Sequence, residues 1–273
     1  MSERFIDVCG GRVSVFENGS GLSLLYLHGF ADIHSVKDHW LPFHQELAQH
    51  AHVIAPAHPG CAGSAENGEI ETIEDVVFHY LEVLDELKLE EFDLVGACVG
   101  GWIAAELAVR HPEKIRKLVL IGATGLFVPG APIGDVFMMA QAERGVSYAG
   151  LRSMLFSQAD HPKAVEFFPD GRGDINDELR RYQMLRFASR VGFRPPYFYN
   201  RALGNRLHRI TAPAFIVWGE NDRMVPVAHG EAYARALLHS HGLKVIKQGG
   251  HSVQVENPEL AAKSILTFLE ARQ

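Results

Sequence analysis

Apolar residues in this chain alternate between two patterns: short continuous runs, and longer stretches at helical spacing. Leu22-Ser23-Leu24-Leu25-Tyr26-Leu27 is a continuous run ended by His28-Gly29-Phe30, as expected of a strand buried on both faces. Residues 53–55, 92–96, 117–122, 214–219 and 244–246 read as further core strands. Between them, 40–49, 73–87, 231–238 and 258–271 read as helices, the second with Val76, Val77, Tyr80, Leu81, Leu84 and Leu87 on one face. Residues 5–9 and 12–16, joined through Gly10-Gly11, predict an opening hairpin. Such alternation predicts an α/β fold, a mostly parallel central sheet with helices on both faces. It breaks between 126 and 208, an aromatic- and arginine-rich segment that predicts an inserted helical cap over a core formed by 1–125 and 209–273.

Composition narrows the function classes. At 273 residues, 47% hydrophobic and 22% charged, the chain suits one globular domain with an insertion. A net charge of −7 with no long basic run argues against nucleic-acid binding. Met1-Ser2-Glu3-Arg4 leads into no apolar h-region, and no apolar run reaches the ~18–20 residues needed to span a bilayer, so neither secretion nor a membrane anchor is expected. Cys9, Cys61 and Cys98 lack paired spacing and fit a reducing, cytoplasmic setting. The 15 histidines form no tight ligand spacing, so no metal site is expected.

Candidate chemistry concentrates in three stretches that follow predicted strands. Gly96-Ala97-Cys98-Val99-Gly100-Gly101 has the form of a nucleophile elbow, whose sharp strand-to-helix turn requires glycines two before and two after the exposed residue. The helix it enters runs Trp102-Ile103-Ala104-Ala105-Glu106-Leu107-Ala108. Asp222 lies in Trp218-Gly219-Glu220-Asn221-Asp222, with Glu220 as the alternative acid, and His251 in Gln248-Gly249-Gly250-His251-Ser252. A free thiol, of pKa ~8.5, is only a few per cent ionised at neutral pH. His251 can take that proton or hold an ion pair with the thiolate, and Asp222 can fix its tautomer. The helix after Cys98 adds a positive dipole end beside the sulfur. Cys9 and Cys61 read as inert packing, Ser64 as a turn residue, and His58, His79 and His111 need no chemical role.

The order Cys98, Asp222, His251, the His28-Gly29-Phe30 corner, the Pro59-Gly60-x-x-Gly63-Ser64 loop and the Gly-Gly-His turn together resemble the α/β-hydrolase superfamily over nearly the whole chain. The resemblance implies an α/β-hydrolase fold with a helical cap insertion, no cofactor, and an oxyanion hole formed by the backbone N–H groups of Phe30 and Val99. It implies a carboxylic ester or lactone hydrolase working through a thioester on Cys98. His28 would shape the corner or touch substrate, and Trp102, Arg186, Arg190 and Tyr197 are candidate substrate contacts, with Phe193 and Arg194 beyond and Phe198 and Tyr199 supporting an apolar pocket. The segment 126–208 holds 11 Lys/Arg against 8 Asp/Glu, so a carboxylate-bearing small molecule is one expectation and solvated arginines the other. Gly122-Ala123-Thr124-Gly125-Leu126 looks like meta-cleavage C–C bond hydrolases, from which Cys98 and Ser252 depart, and the cysteine centre is similar to dienelactone hydrolases. C–C hydrolysis, acyl transfer, a serine hydrolase with its nucleophile replaced, and a non-catalytic small-ligand receptor remain open, as does assembly as a monomer or homodimer.

Overall fold

In the computed structural model, which describes residues 2–35, 40–139, 147–171, 174–193 and 197–271, the continuous apolar runs become the middle of one sheet. Its strands are β1 (Ser2–Val8), β2 (Gly11–Asn18), β3 (Ser23–Leu27), β4 (His52–Pro56), β5 (Phe92–Ala97), β6 (Ile115–Ile121), β7 (Ala214–Gly219) and β8 (Ser240–Ile246). They lie in the order β1-β2-β4-β3-β5-β6-β7-β8. The β1–β2 and β2–β4 pairs are antiparallel and all later neighbours parallel. The helices are α1 (Pro42–Ala48), α2 (Ile73–Leu87), α3 (Val99–Arg110), α4 (Val136–Met139), α5 (Ala149–Leu155), α6 (Pro162–Phe167), α7 (Ile175–Gly192), α8 (Leu203–Arg206), α9 (Val227–Ala236), α10 (Val253–Glu256) and α11 (Pro258–Glu270).

Strand period two divides the core into two layers. Leu25, Leu94, Leu118, Leu120 and Ile216 pack with α2 and α3 on one face, while Leu24, Tyr26, Val95, Val119 and Val217 pack with α1 and α11 on the other. Helix α2 starts at a capping box, in which Thr72 accepts from the Asp75 N–H and Asp75 accepts from the Thr72 N–H. Helix α3 is buried on all sides from Val99 to Val109, so it carries no amphipathic stripe.

Two boundaries differ from expectation for physical reasons. The last strand begins four residues before the predicted 244–246, because β8 is an edge strand in which only Ile246 is buried. The helix predicted over 231–238 is α9, which starts directly after Pro226, a residue suited to a helix entrance. Between β6 and β7 the described chain is helical, α4 to α8. Its two ends meet: the Gly125 N–H donates to the Phe198 carbonyl (2.9 Å) and the Asn200 N–H to the Gly125 carbonyl (3.0 Å).

Candidate active site

Strand β5 ends at Ala97 and α3 begins at Val99, leaving Cys98 alone to make the turn. Its φ of 54° and ψ of −120° are strained for a residue with a side chain, a conformation that costs on the order of 1–3 kcal/mol. The surrounding glycines are steric necessities. A Cβ on Gly96 would lie 2.4 Å from the Gly100 carbonyl oxygen, and one on Gly100 would lie 2.1 Å from that of Leu27. The Cys98 N–H donates to the Ile121 carbonyl (2.9 Å), and the Cys98 carbonyl accepts from Thr124 N–H (3.1 Å) and Trp102 N–H (3.2 Å). Helix α3 thus presents its positive end at the sulfur. Gly29 sits against it, since a Cβ there would lie 3.0 Å from the Cys98 Cβ.

The loops after β7 and β8 bring the other two residues together. Gly219 passes so close to the Gly249-Gly250 turn that a Cβ would stand 2.0 Å from the Gly250 carbonyl oxygen. Asp222 Oδ1 accepts from the N–H groups of Met224 (3.0 Å) and Val225 (2.7 Å), which aims Oδ2 at His251 Nδ1, 2.8 Å away. Both side chains are buried. Burial works to lower the His251 pKa, but the charges of Asp222 and the Cys98 sulfur hold it well above the ordinary 6.5. The Cys98 sulfur acts on the ring first through charge and also as a hydrogen-bond partner. The arrangement favours the charged form of the His251 ring.

The other residues expected at the site take varied places. His28 is buried behind the corner, its Nδ1–H donating to the Gly29 carbonyl (3.2 Å) and its Nε2 accepting from His58 N–H (3.0 Å). Its ring stacks on His58 at 3.8 Å, and His58 is anchored by Tyr80 Oη (2.6 Å). Burial pushes His28 well below the ordinary range and His58 down to about 3, so both rings are neutral supports. Phe30 is buried, and its carbonyl accepts from Ser35 Oγ (2.8 Å). Val99 is the first residue of α3. Trp102 is buried and donates to Glu106 Oε1 (3.2 Å), which also accepts from Asn200 Nδ2 (2.8 Å). Tyr197 is half-buried, its hydroxyl donating to Asp135 Oδ1 (3.3 Å). Arg186 and Arg190, on α7, both pair with Glu66 of the loop after β4. These pairs tie α7 to the loop after β4. Arg194 lies outside the described residues. Cys61 is buried against Met184, and burial pushes its thiol up, away from ionisation, whereas Cys9 is exposed.

Two carboxylates escaped the sequence reading. Asp32 is fully buried in the loop after β3 and accepts from four groups, the N–H groups of Gly29 and Ile33 and the side chains of Tyr26 and Gln254. Glu256 grips both the helical segment and the histidine turn: Oε1 accepts from Ser157 N–H (2.7 Å) and Oγ–H (2.6 Å), and Oε2 from Gly250 N–H (2.6 Å). Among the described residues, no group of three or more His, Cys, Asp or Glu is placed to hold a metal ion, and no helix is long and apolar enough to cross a membrane.

A family model described as the alpha/beta hydrolase fold matches residues 23–258. The chain is 31% identical to a 2-hydroxymuconate semialdehyde hydrolase of Pseudomonas sp. (strain CF600), over 97% of this chain and 93% of that protein. It is 26% identical to the monoacylglycerol lipase abhd6-B of Xenopus laevis, over 93% of this chain and 77% of that one. Among solved structures, a membrane phospholipase A described as a bacterial virulence factor superposes with a TM-score of 0.74 and 26% identity, covering 98% of this chain and 86% of that one.

Proposed function

The chain belongs to the alpha/beta hydrolase fold family, and from that premise we propose that it cleaves a carboxylic ester or lactone with Cys98 as nucleophile, His251 as acid–base and Asp222 as the orienting acid. The observation that carries the proposal is the strained Cys98 turn facing a buried His251 held by Asp222 at 2.8 Å. The Cys98 thiolate attacks the acyl carbon, and the carbonyl π electrons move onto oxygen. The Phe30 and Val99 N–H groups receive that oxyanion. Collapse expels the alkoxide, which takes the proton from imidazolium Nε2, leaving a thioester on Cys98 and a free alcohol. His251 then removes a proton from water as it attacks the thioester. The second tetrahedral adduct collapses to carboxylic acid and regenerated thiolate–imidazolium. No step calls on a cofactor or metal.

A second reading, C–C bond hydrolysis on the same three residues, is favoured by the 31% identity to a 2-hydroxymuconate semialdehyde hydrolase across 97% of this chain. One set of assays tests both. Wild type, Cys98→Ala and Cys98→Ser are assayed on short-chain esters, lactones and a dienol ketone of the ring-cleavage type. A rapid acid quench followed by mass spectrometry should locate an acyl group on Cys98 and none on Cys9 or Cys61. Equal turnover by wild type and Cys98→Ala would remove Cys98 from the mechanism. A large gain in Cys98→Ser would identify serine as the residue this site is built around. Turnover of the dienol ketone without ester turnover would favour the second reading, and ligand retention without turnover of any of them would indicate a receptor.

A further inference from the structure

Asp32 sits two residues past Phe30, the expected oxyanion donor, and the pattern of its contacts is specific. Oδ2 accepts from Gly29 N–H (3.0 Å) and Oδ1 from Ile33 N–H (2.8 Å), so the carboxylate bridges the backbone on both sides of Phe30. Oδ2 also accepts from Tyr26 Oη–H (2.6 Å), rooting the loop in β3, and from Gln254 Nε2–H (3.2 Å). Gln254 lies on α10, three residues after His251. A single buried group therefore touches the corner that presents the oxyanion donor and the turn that presents the base. His44 Nε2 stands 3.5 Å from Oδ1 as a neutral neighbour, its pKa pushed down to about 3 by burial.

This carboxylate is a poor device for stability alone. Burying an anion is unfavourable, and an apolar group of similar size often serves folding as well or better. Burial raises the Asp32 carboxyl to about 6 despite its donors. Because that value lies above the ordinary carboxylate one, the ionised form at neutral pH weighs against folding. What the anion supplies is a fixed geometry for two N–H groups and one amide at once.

We propose that Asp32 is a positioning residue for acyl transfer at Cys98: it sets the Phe30 N–H for the oxyanion and, through Gln254, keeps that donor in register with the His251 turn. The proposal deepens the ester-cleavage reading and rests on it for its catalytic part. Oxyanion donors act only within about 2.7–3.1 Å of the developing charge, so a loop released by a fraction of an ångström loses their effect. Alkylation of the same thiolate develops no oxyanion and does not need the corner.

Three measurements on Asp32→Asn, with Gln254→Leu as the milder variant, test the assignment: the acylation burst with p-nitrophenyl acetate, the alkylation rate of Cys98 with iodoacetamide, and amide hydrogen exchange over 28–34 and 251–254. The acylation rate should fall ~10²-fold in Asp32→Asn, with KM near that of wild type and alkylation within about threefold. Exchange should rise in both segments, and Gln254→Leu should show the same split at smaller amplitude. Equal losses in acylation and alkylation would reduce Asp32 to a structural role, and unchanged acylation or exchange would overturn the proposal outright. A wild type that alkylates at Cys98 but forms no acyl adduct with any ester would reject the ester reading. The exchange arm would still decide whether Asp32 links the two loops.

Discussion

Replacing Asp222 with asparagine removes one charge from the centre of the site and leaves the volume almost unchanged. Oδ2 of Asp222 stands 2.8 Å from His251 Nδ1, with both groups buried. At an effective dielectric of about 20, that separation corresponds to about 6 kcal/mol of attraction for the imidazolium. Loss of that attraction lowers the imidazole pKa, because the carboxylate stabilises the charged ring. The sign of the effect on Cys98 follows. In the wild type Asp222 holds the His251 pKa above the ordinary imidazole range, which keeps a cation beside the sulfur. In Asp222→Asn the ring loses its proton at lower pH, and the cation that assists reaction at the sulfur goes with it. The amide adds a second fault. Its oxygen is retained by the Met224 and Val225 N–H groups, which turns its NH₂ toward Nδ1 and reverses the tautomer. Iodoacetamide alkylation of Cys98 followed from pH 4 to pH 10 should show the acid limb displaced upward in the variant. The rate at pH 7 should drop ~10-fold or more, and ester turnover should fall by up to ~10⁴. Superimposable alkylation profiles would refute the ion-pair reasoning.

Three further substitutions probe the scaffold and the arginines. Gly100→Ala drives a Cβ to 2.1 Å from the Leu27 carbonyl oxygen and 2.6 Å from that of His28, which are backbone atoms of a buried strand end. It should destabilise by about 3 kcal/mol or abolish soluble expression, whereas Gly68→Ala, which meets nothing within 4 Å, should melt with the wild type by calorimetry. Glu66→Gln unpairs Arg186 and Arg190, both partly exposed, so solvent screening limits the stability loss to less than about 1 kcal/mol, a melting shift of at most ~4 °C. KM should move equally for neutral and acidic esters. A selective fall for acidic esters would show that the released arginines can hold a substrate carboxylate.

What could be read from the chain beforehand follows the range of the physical constraint. The elbow was legible because its glycine spacing is a signature in itself, although the structure shows Gly100 required by the Leu27 and His28 carbonyls and Gly101 by Ala123, as well as Gly96 by Gly100. Strands β3 and β5, buried on both faces, declare themselves as continuous apolar runs. Edge strand β8, with one fully buried residue, has no such run to show, and its start was misplaced. The arginines of α7 could be counted but not assigned, because their partner Glu66 lies more than a hundred residues away in a different loop.

Asp32 marks the limit of that logic most sharply. Beside His28-Gly29-Phe30 it looks like any turn aspartate, and its meaning comes from Tyr26, fully buried in β3, and from Gln254 at the other end of the chain. The same holds for Glu256, whose acceptor oxygens join Ser157 to Gly250. Asp32 holds α10, the single helical turn that follows His251, from the loop after β3, while Glu256, itself on α10, ties that turn to Ser157 and Gly250. Cys98 is therefore placed by the elbow and the strands beside it, while His251 and its turn are held by Asp222, Asp32 and Glu256. An elbow can be recognised from six residues because its glycine spacing is itself the signature; the alignment of His251 with Cys98 is a property of the folded chain and is written into no single stretch of it.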